Sequence, residues 1–197
     1  MTVSVSPLDP ETRARLAALP VADLGDAMDR LNVVESAIGP VWTGARLVGT
    51  ACTVLTTGGD NKLVRDALAV VGEGDVLVVN GQGHTEHALV GEVLAERARA
   101  RGAVGFVVDG AVRDVDELRA MGFPVFARAV TPAGPSAHGP GRLGVPVAIG
   151  RVVVTPGDVL VADSDGVAVI PRAEVDAVLA RAEDKHARDA ELRASFA

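Results

Sequence analysis

A chain of 197 residues, 48% hydrophobic but only 3% aromatic, must fill its core with Val, Leu and Ala, small aliphatics that suit parallel sheets covered by helices. Its length suits one domain, residues 1–197, burying roughly 70% of the unfolded surface, and its net charge of −7 argues against general nucleic-acid binding. Cys52 is the single cysteine, so no internal disulfide forms; without a signal-like leader or a run near the roughly 18 apolar residues of a bilayer span, the chain reads as cytoplasmic with no membrane partner.

Asp9-Pro10-Glu11 starts a helix, with Asp9 as N-cap and Pro10 at the first helical position, and Pro20 interrupts it after about Leu19. A second helix covers about Val21 to Leu31, with Val21, Leu24, Met28 and Leu31 on one face. Residues 32–44 read as irregular, Gly39-Pro40 marking a turn. Arg46 to Thr56 is a strand holding Cys52 as core filler. Gly58 to Asn61 leads into a helix burying Leu63, Ala67, Leu68 and Val71.

Next comes an apolar strand, Asp75 to Asn80, then the glycine-rich loop Asn80-Gly81-Gln82-Gly83 and a helix ending near Arg101, with Gly102 as its C′ residue. A second strand, Gly105 to Asp109, breaks into a turn carrying Arg113 and Asp114. This order is a βαβ unit, so the strands should be parallel with a right-handed crossover, and ligands should sit beyond their carboxyl ends. Val115 to Met121 is a short helix stopped by Gly122, Pro124 to Arg128 a strand, and Thr131 to Gly144 a loop long enough to be functional. Four short strands follow at Val145–Ile149, Val152–Thr155, Asp158–Ala162 and Val167–Ile170. Asp163 to Gly166 reads as a hairpin turn, since the rest of a calcium loop is missing. A helix from about Arg172 closes the chain on the stripe Val175, Val178, Leu179 and Ala182.

Glu92 and Asp114 are the carboxylates best placed for a metal, one near the start of the crossover helix and one just past the second strand. Two oxygen ligands without thiols suit Mg²⁺ or Mn²⁺ with retained waters; an exposed Glu beside an Arg113-Asp114 turn pair fits the same spacing. Arg113 could clamp a carboxylate or steady an enolate oxygen, or simply form a salt bridge. The amides of Gly91, Glu92, Val93 and Leu94 fall at a helix N-terminus, which attracts anions. His84 and His87 are spaced for zinc but lack a third ligand. Only Lys62 and Lys185 occur, and neither looks like a Schiff-base amine.

The order P-V-W-T-G-A-R-L-V-G-T-A (Pro40 to Ala51), G-D-N (Gly59 to Asn61), G-E-V-L (Gly91 to Leu94), V-D-G-A-V-R-D (Val108 to Asp114) and P-G-D…A-D…D-G-V-A-V-I-P (Pro156 to Pro171) resembles the RraA-like family. That family holds the regulator of ribonuclease activity A and the class II 4-hydroxy-4-methyl-2-oxoglutarate aldolases. The resemblance implies an α/β fold, a swivelling β/β/α domain with a mixed sheet around the central βαβ unit, assembled as a homotrimer or dimer of trimers. It also implies a divalent-metal aldolase and oxaloacetate decarboxylase acting on small 2-keto acids. By the same match Asp114 would bind the metal directly, Glu92 through waters, and Arg113 the keto oxygen. The amides of Gly91 to Leu94 would take the pyruvate carboxylate. The aldolases often carry Asp where this chain has Glu92. The other reading the family offers is a non-catalytic, protein-binding regulator of a ribonuclease.

Overall fold

Four parallel strands form the centre of the molecule: β2 (Leu47–Thr56), β3 (Asp75–Val90), β4 (Gly105–Val112) and β5 (Val125–Val130), side by side in that order. The computed structural model describes residues 7–196. Antiparallel strands extend the sheet, with β1 (Gly39–Pro40) beside β5, and β9 (Val159–Asp163) then β10 (Gly166–Ile170) beyond β2. β6 (Gly141–Leu143) pairs with the end of β2, while β7 (Val147–Ile149) and β8 (Val152–Val154) form a separate hairpin. The mixed α/β architecture expected from the sequence is what the chain adopts.

The sheet is buried on both faces, which explains the continuous apolar runs. Every residue of β4 is buried. Its Phe106, Val108 and Val112 join a cluster with α3 (Lys62–Ala67), α4 (Glu92–Arg99) and α5 (Val115–Ala120), whereas Val107 joins the β7–β8 hairpin on the other side. A third cluster packs α1 (Pro10–Ala18), α2 (Val21–Ala27) and α6 (Val175–Ala194) against β9 and β10. The Asp9 cap is present, its carboxylate accepting the Thr12 N–H at 2.8 Å. Val175, Val178, Leu179 and Ala182 are the buried stripe of α6. Lys185 then ties α6 to α2, its Nζ 3.2 Å from Asp23 and 3.4 Å from Asp26. Among the described residues, no helix is long and apolar enough to cross a membrane.

Several boundaries differ from the sequence reading. α2 stops at Ala27 because Asp29 and Arg30 turn left-handed, and Leu31 is left 79% exposed instead of sharing the buried face. Gly39-Pro40 is a short edge strand, where a proline costs no ladder bond. Val64 takes the buried position expected of Leu63, which is only partly covered. Three residues of the 131–144 loop pair as β6.

The largest correction concerns β3, which runs through the expected glycine loop to Val90, while α4 begins only at Glu92. Asn80 pairs with Asp109 and Val90 with Val112, so ten steps along β3 face three along β4, the excess taken up at register shifts. Gly81 serves close approach: a Cβ there would lie 2.3 Å from Leu89 Cδ1 and 3.0 Å from the Asp109 carbonyl. The glycines therefore mark bulges. They lie inside a long strand and not in a loop at the end of a short one.

Candidate active site

β3 and β4 finish together, Val90 paired with Val112 and the Arg113 N–H donating to the Val90 carbonyl at 3.1 Å. The chain then turns twice into helices, at Gly91 before α4 and at Asp114 before α5. Asp114 is left-handed, φ 61° and ψ 45°, a conformation that Asp tolerates better than most residues. Its side chain does not cap its own helix. Instead Oδ2 accepts the Glu92 N–H at 3.0 Å and lies 3.5 Å from Arg113 Nε. Gly91 makes this possible, because a Cβ there would stand 2.3 Å from Asp114 Oδ2 and 2.9 Å from Arg113 Cγ. The far end of α4 closes as expected. Gly102 (φ 92°) donates to the Arg99 carbonyl and Ala103 to that of Ala98, the two bonds of a Schellman cap.

A cleft of about 340 Å³ opens over these turns. Its walls include Asn61 and Arg65, Gly91 and Arg97, and Arg113 with Asp114, so three arginines and a single acidic residue line it. That balance favours an anionic ligand. Arg113 and Asp114 are partly exposed, at 43% and 33%, and an ion pair so placed is weak, which leaves the guanidinium available to a ligand. Of the four amides at the start of α4, that of Glu92 is taken by Asp114; those of Val93 and Leu94 have no partner four residues back within the helix.

The 131–144 loop forms the far wall, contributing Pro135. Asp60 holds it there. Its buried carboxylate accepts from Lys62 N (2.9 Å), Ser136 Oγ (2.8 Å) and His138 N (2.6 Å). Burial alone would raise its pKa, but the donors of His138, Lys62, Ser136 and Gly139 outweigh burial and hold the carboxyl well below the usual range. The adjoining Asn61 is buried too, donating Nδ2 to the Leu89 carbonyl at 3.2 Å, while its Oδ1 has no partner.

Gly91, Val93, Leu94, Arg113 and Asp114 line one cleft. The Glu92 side chain is not part of its wall; this residue contributes its amide. His84 and His87 bond each other, Nε2 to Nδ1 at 2.9 Å with stacked rings. Asp109, inside the Val108–Asp114 motif, is structural: it accepts from Arg128 Nε at 2.6 Å and Gly150 N at 3.1 Å. Among the described residues no three His, Cys, Asp or Glu side chains gather as a metal cage. Asp114 Oδ1 accepts no hydrogen bond from them, so the donor set fits a hard cation held by one direct carboxylate and retained waters.

Sequence reasoning gave no role to Asn61, Arg65 or Arg97. A signal existed in the spacing: Arg65 lies four residues after Asn61 and Arg97 four after Val93, each pair able to share a helix face.

The sequence model of the RraA-like family, described as Aldolase/RraA, matches residues 21–169. The chain belongs to the RraA-like family. A Halalkalibacterium halodurans protein provisionally named 4-hydroxy-4-methyl-2-oxoglutarate aldolase is 39% identical over 171 residues, covering 87% of this RraA-like chain and 81% of its own length. Among solved structures, the RNA-processing inhibitor RraA of Thermus thermophilus is 38% identical with TM-score 0.70, covering 77% of this chain and 92% of that one. RraAS2 of Streptomyces coelicolor, described as an unusual member of the RNase ES inhibitor RraA family, is 28% identical with TM-score 0.86, covering 95% of this chain and 98% of that one.

Proposed function

We propose that this RraA-like protein is a carbon–carbon lyase. It would cleave a 2-keto diacid of the 4-hydroxy-4-methyl-2-oxoglutarate type, or decarboxylate oxaloacetate, releasing pyruvate with Mg²⁺ or Mn²⁺ as cofactor. The observation that carries this reading is the meeting of Asp114, the Glu92 amide and Arg113 at the mouth of a cleft rich in guanidiniums. The names of relatives on the aldolase side support it.

In this reading the free amides of Val93 and Leu94 bind the pyruvyl carboxylate, aided by the helix dipole. Arg113 donates to the keto oxygen as it gains charge. Asp114 would hold the cation directly, with waters completing its shell. When bound, the ion supplies Lewis acidity at the keto oxygen. In the aldol case the C3–C4 bond breaks, its electron pair passes into the enolate, the 4-hydroxyl gives up its proton, and C3 is protonated to give pyruvate. With oxaloacetate, carbon dioxide leaves in place of the second keto acid.

A lysine route has no support. Lys62 pairs with Asp66 at 2.6 Å, and Lys185 is held above its ordinary pKa by Asp189 and Asp23, opposite to what a Schiff-base amine requires.

The test is oxaloacetate decarboxylation by wild type and Arg113→Ala. Turnover should vanish in the variant and, in wild type, with chelator, returning with Mg²⁺ or Mn²⁺. Turnover retained by a folded Arg113→Ala would refute the assignment. The second reading, a protein-binding regulator of a ribonuclease, draws on the names of the Thermus and Streptomyces structures. Co-purification with a ribonuclease, together with inertness toward keto acids in every metal, would favour it. Light scattering tests the expected homotrimer or dimer of trimers.

A further inference from the structure

A second groove, of about 420 Å³, runs between α3 and α4, lined by Arg65, Leu68, Ala69, Arg97, Ala100 and Arg101. Arg65 and Arg97 line the first cleft as well, so the two spaces share a wall. No carboxylate lines the groove. Among the described residues, none of its three guanidiniums makes an intrachain hydrogen bond or ion pair. Of the charges nearby, Asp66 pairs with Lys62 and Arg99 donates to the Met121 carbonyl, while Glu73 and Glu96 make no ion pair with the three arginines among the described residues. In a chain with 26 acidic and 19 basic residues, three partnerless arginines along one apolar-floored groove call for an anion from outside.

We infer that Arg65, Arg97 and Arg101 bind a distal carboxylate or phosphate of the ligand whose keto-acid end occupies the first cleft. The ligand class is an extended 2-keto acid with an anionic group at its far end. Arg97 stands six residues along the chain from Gly91, about 9 Å at the helical rise, and Arg101 is roughly 6 Å further. A ligand spanning that distance lays its stem along Leu68, Ala69 and Ala100. Arg65 faces both spaces and selects against acids with an uncharged tail. The near end of this ligand rests on the function proposed above; the groove does not.

Calorimetric titration of the full chain with Mg²⁺ compares 2-oxosuberate with 2-oxooctanoate, which has the same stem but no distal acid. Wild type should prefer 2-oxosuberate by about tenfold, the scale of one charge-assisted contact. Arg65→Gln/Arg97→Gln should erase that preference. Its melting curve should match wild type, because neither guanidinium has a partner to lose. A preference absent in wild type, or surviving in the folded double variant, overturns the inference. If neither keto acid binds, the near-end reading falls and inorganic pyrophosphate decides the groove by itself. Pyrophosphate binding that disappears in the double variant supports the site; no binding, or binding indifferent to the variant, overturns it.

Discussion

Asp114 Oδ2 accepts the Glu92 N–H at 3.0 Å, so the carboxylate that precedes α5 caps α4 instead. This contact couples the ends of two parallel strands and sets a negative charge at the positive end of a helix. It also explains why a left-handed aspartate is kept at this turn: the strained backbone aims the side chain across the gap.

Gly91 is the space that contact occupies. Gly91→Ala should push the Asp114 carboxylate and the Arg113 stem outward. Both are partly exposed and can move, so urea denaturation should show a loss of only about 1–2 kcal/mol. Oxaloacetate turnover should fall far more than that loss explains.

Asp114→Asn separates charge from geometry. Asn tolerates the left-handed backbone, and its side-chain oxygen can still accept the Glu92 N–H, so stability should stay within about 0.5 kcal/mol of wild type. Metal-dependent turnover should drop at least about tenfold, the minimum expected when a carboxylate at a cation site loses its charge. Equal turnover in the two proteins would remove Asp114 from the chemistry.

Asp60 should give stability an acid limit. Its pKa is lowered on folding, so its contribution is present in full above the unfolded value of about 3.9. The contribution is lost as pH falls from there through the lower folded value. Asp60→Asn turns an amide toward donors that need an acceptor and should be less stable than wild type at neutral pH. The gap in urea midpoints should narrow as pH drops below about 4, and a gap constant with pH would contradict the assignment.

Cys52 should be silent toward thiol reagents in the native protein. Burial, with a smaller contribution from the Asp75 charge, pushes its thiol up to about 12, leaving almost no thiolate at pH 8. Alkylation followed by mass spectrometry should label it only in denaturant; rapid native labelling would show that β2 opens.

Much of the fold was legible because its signals are local. Asp9-Pro10 reported a helix start, Gly102 a helix end, and the apolar runs ending at Asn80 and Asp109 reported two parallel strands. The same local glycine signal misled at Gly81 to Gly83, where the reason for glycine is the approach of Leu89 and Asp109, contacts outside any short window.

Of the candidate site, chain order put the glycine loop at 80–83 and Arg113-Asp114 at the carboxyl ends of neighbouring strands, with Gly91 at the start of the crossover helix; the extension of β3 to Val90 is what sets Gly91 itself at a strand end. Only the packed molecule decided the rest. It gave the Glu92 amide to Asp114, turned Asn61, Arg65 and Arg97 toward the same cleft, and brought Ser136 and His138 back onto Asp60. Backbone preference is set by a residue's near neighbours, whereas these contacts join separate elements whose meeting depends on how helices pack on the sheet.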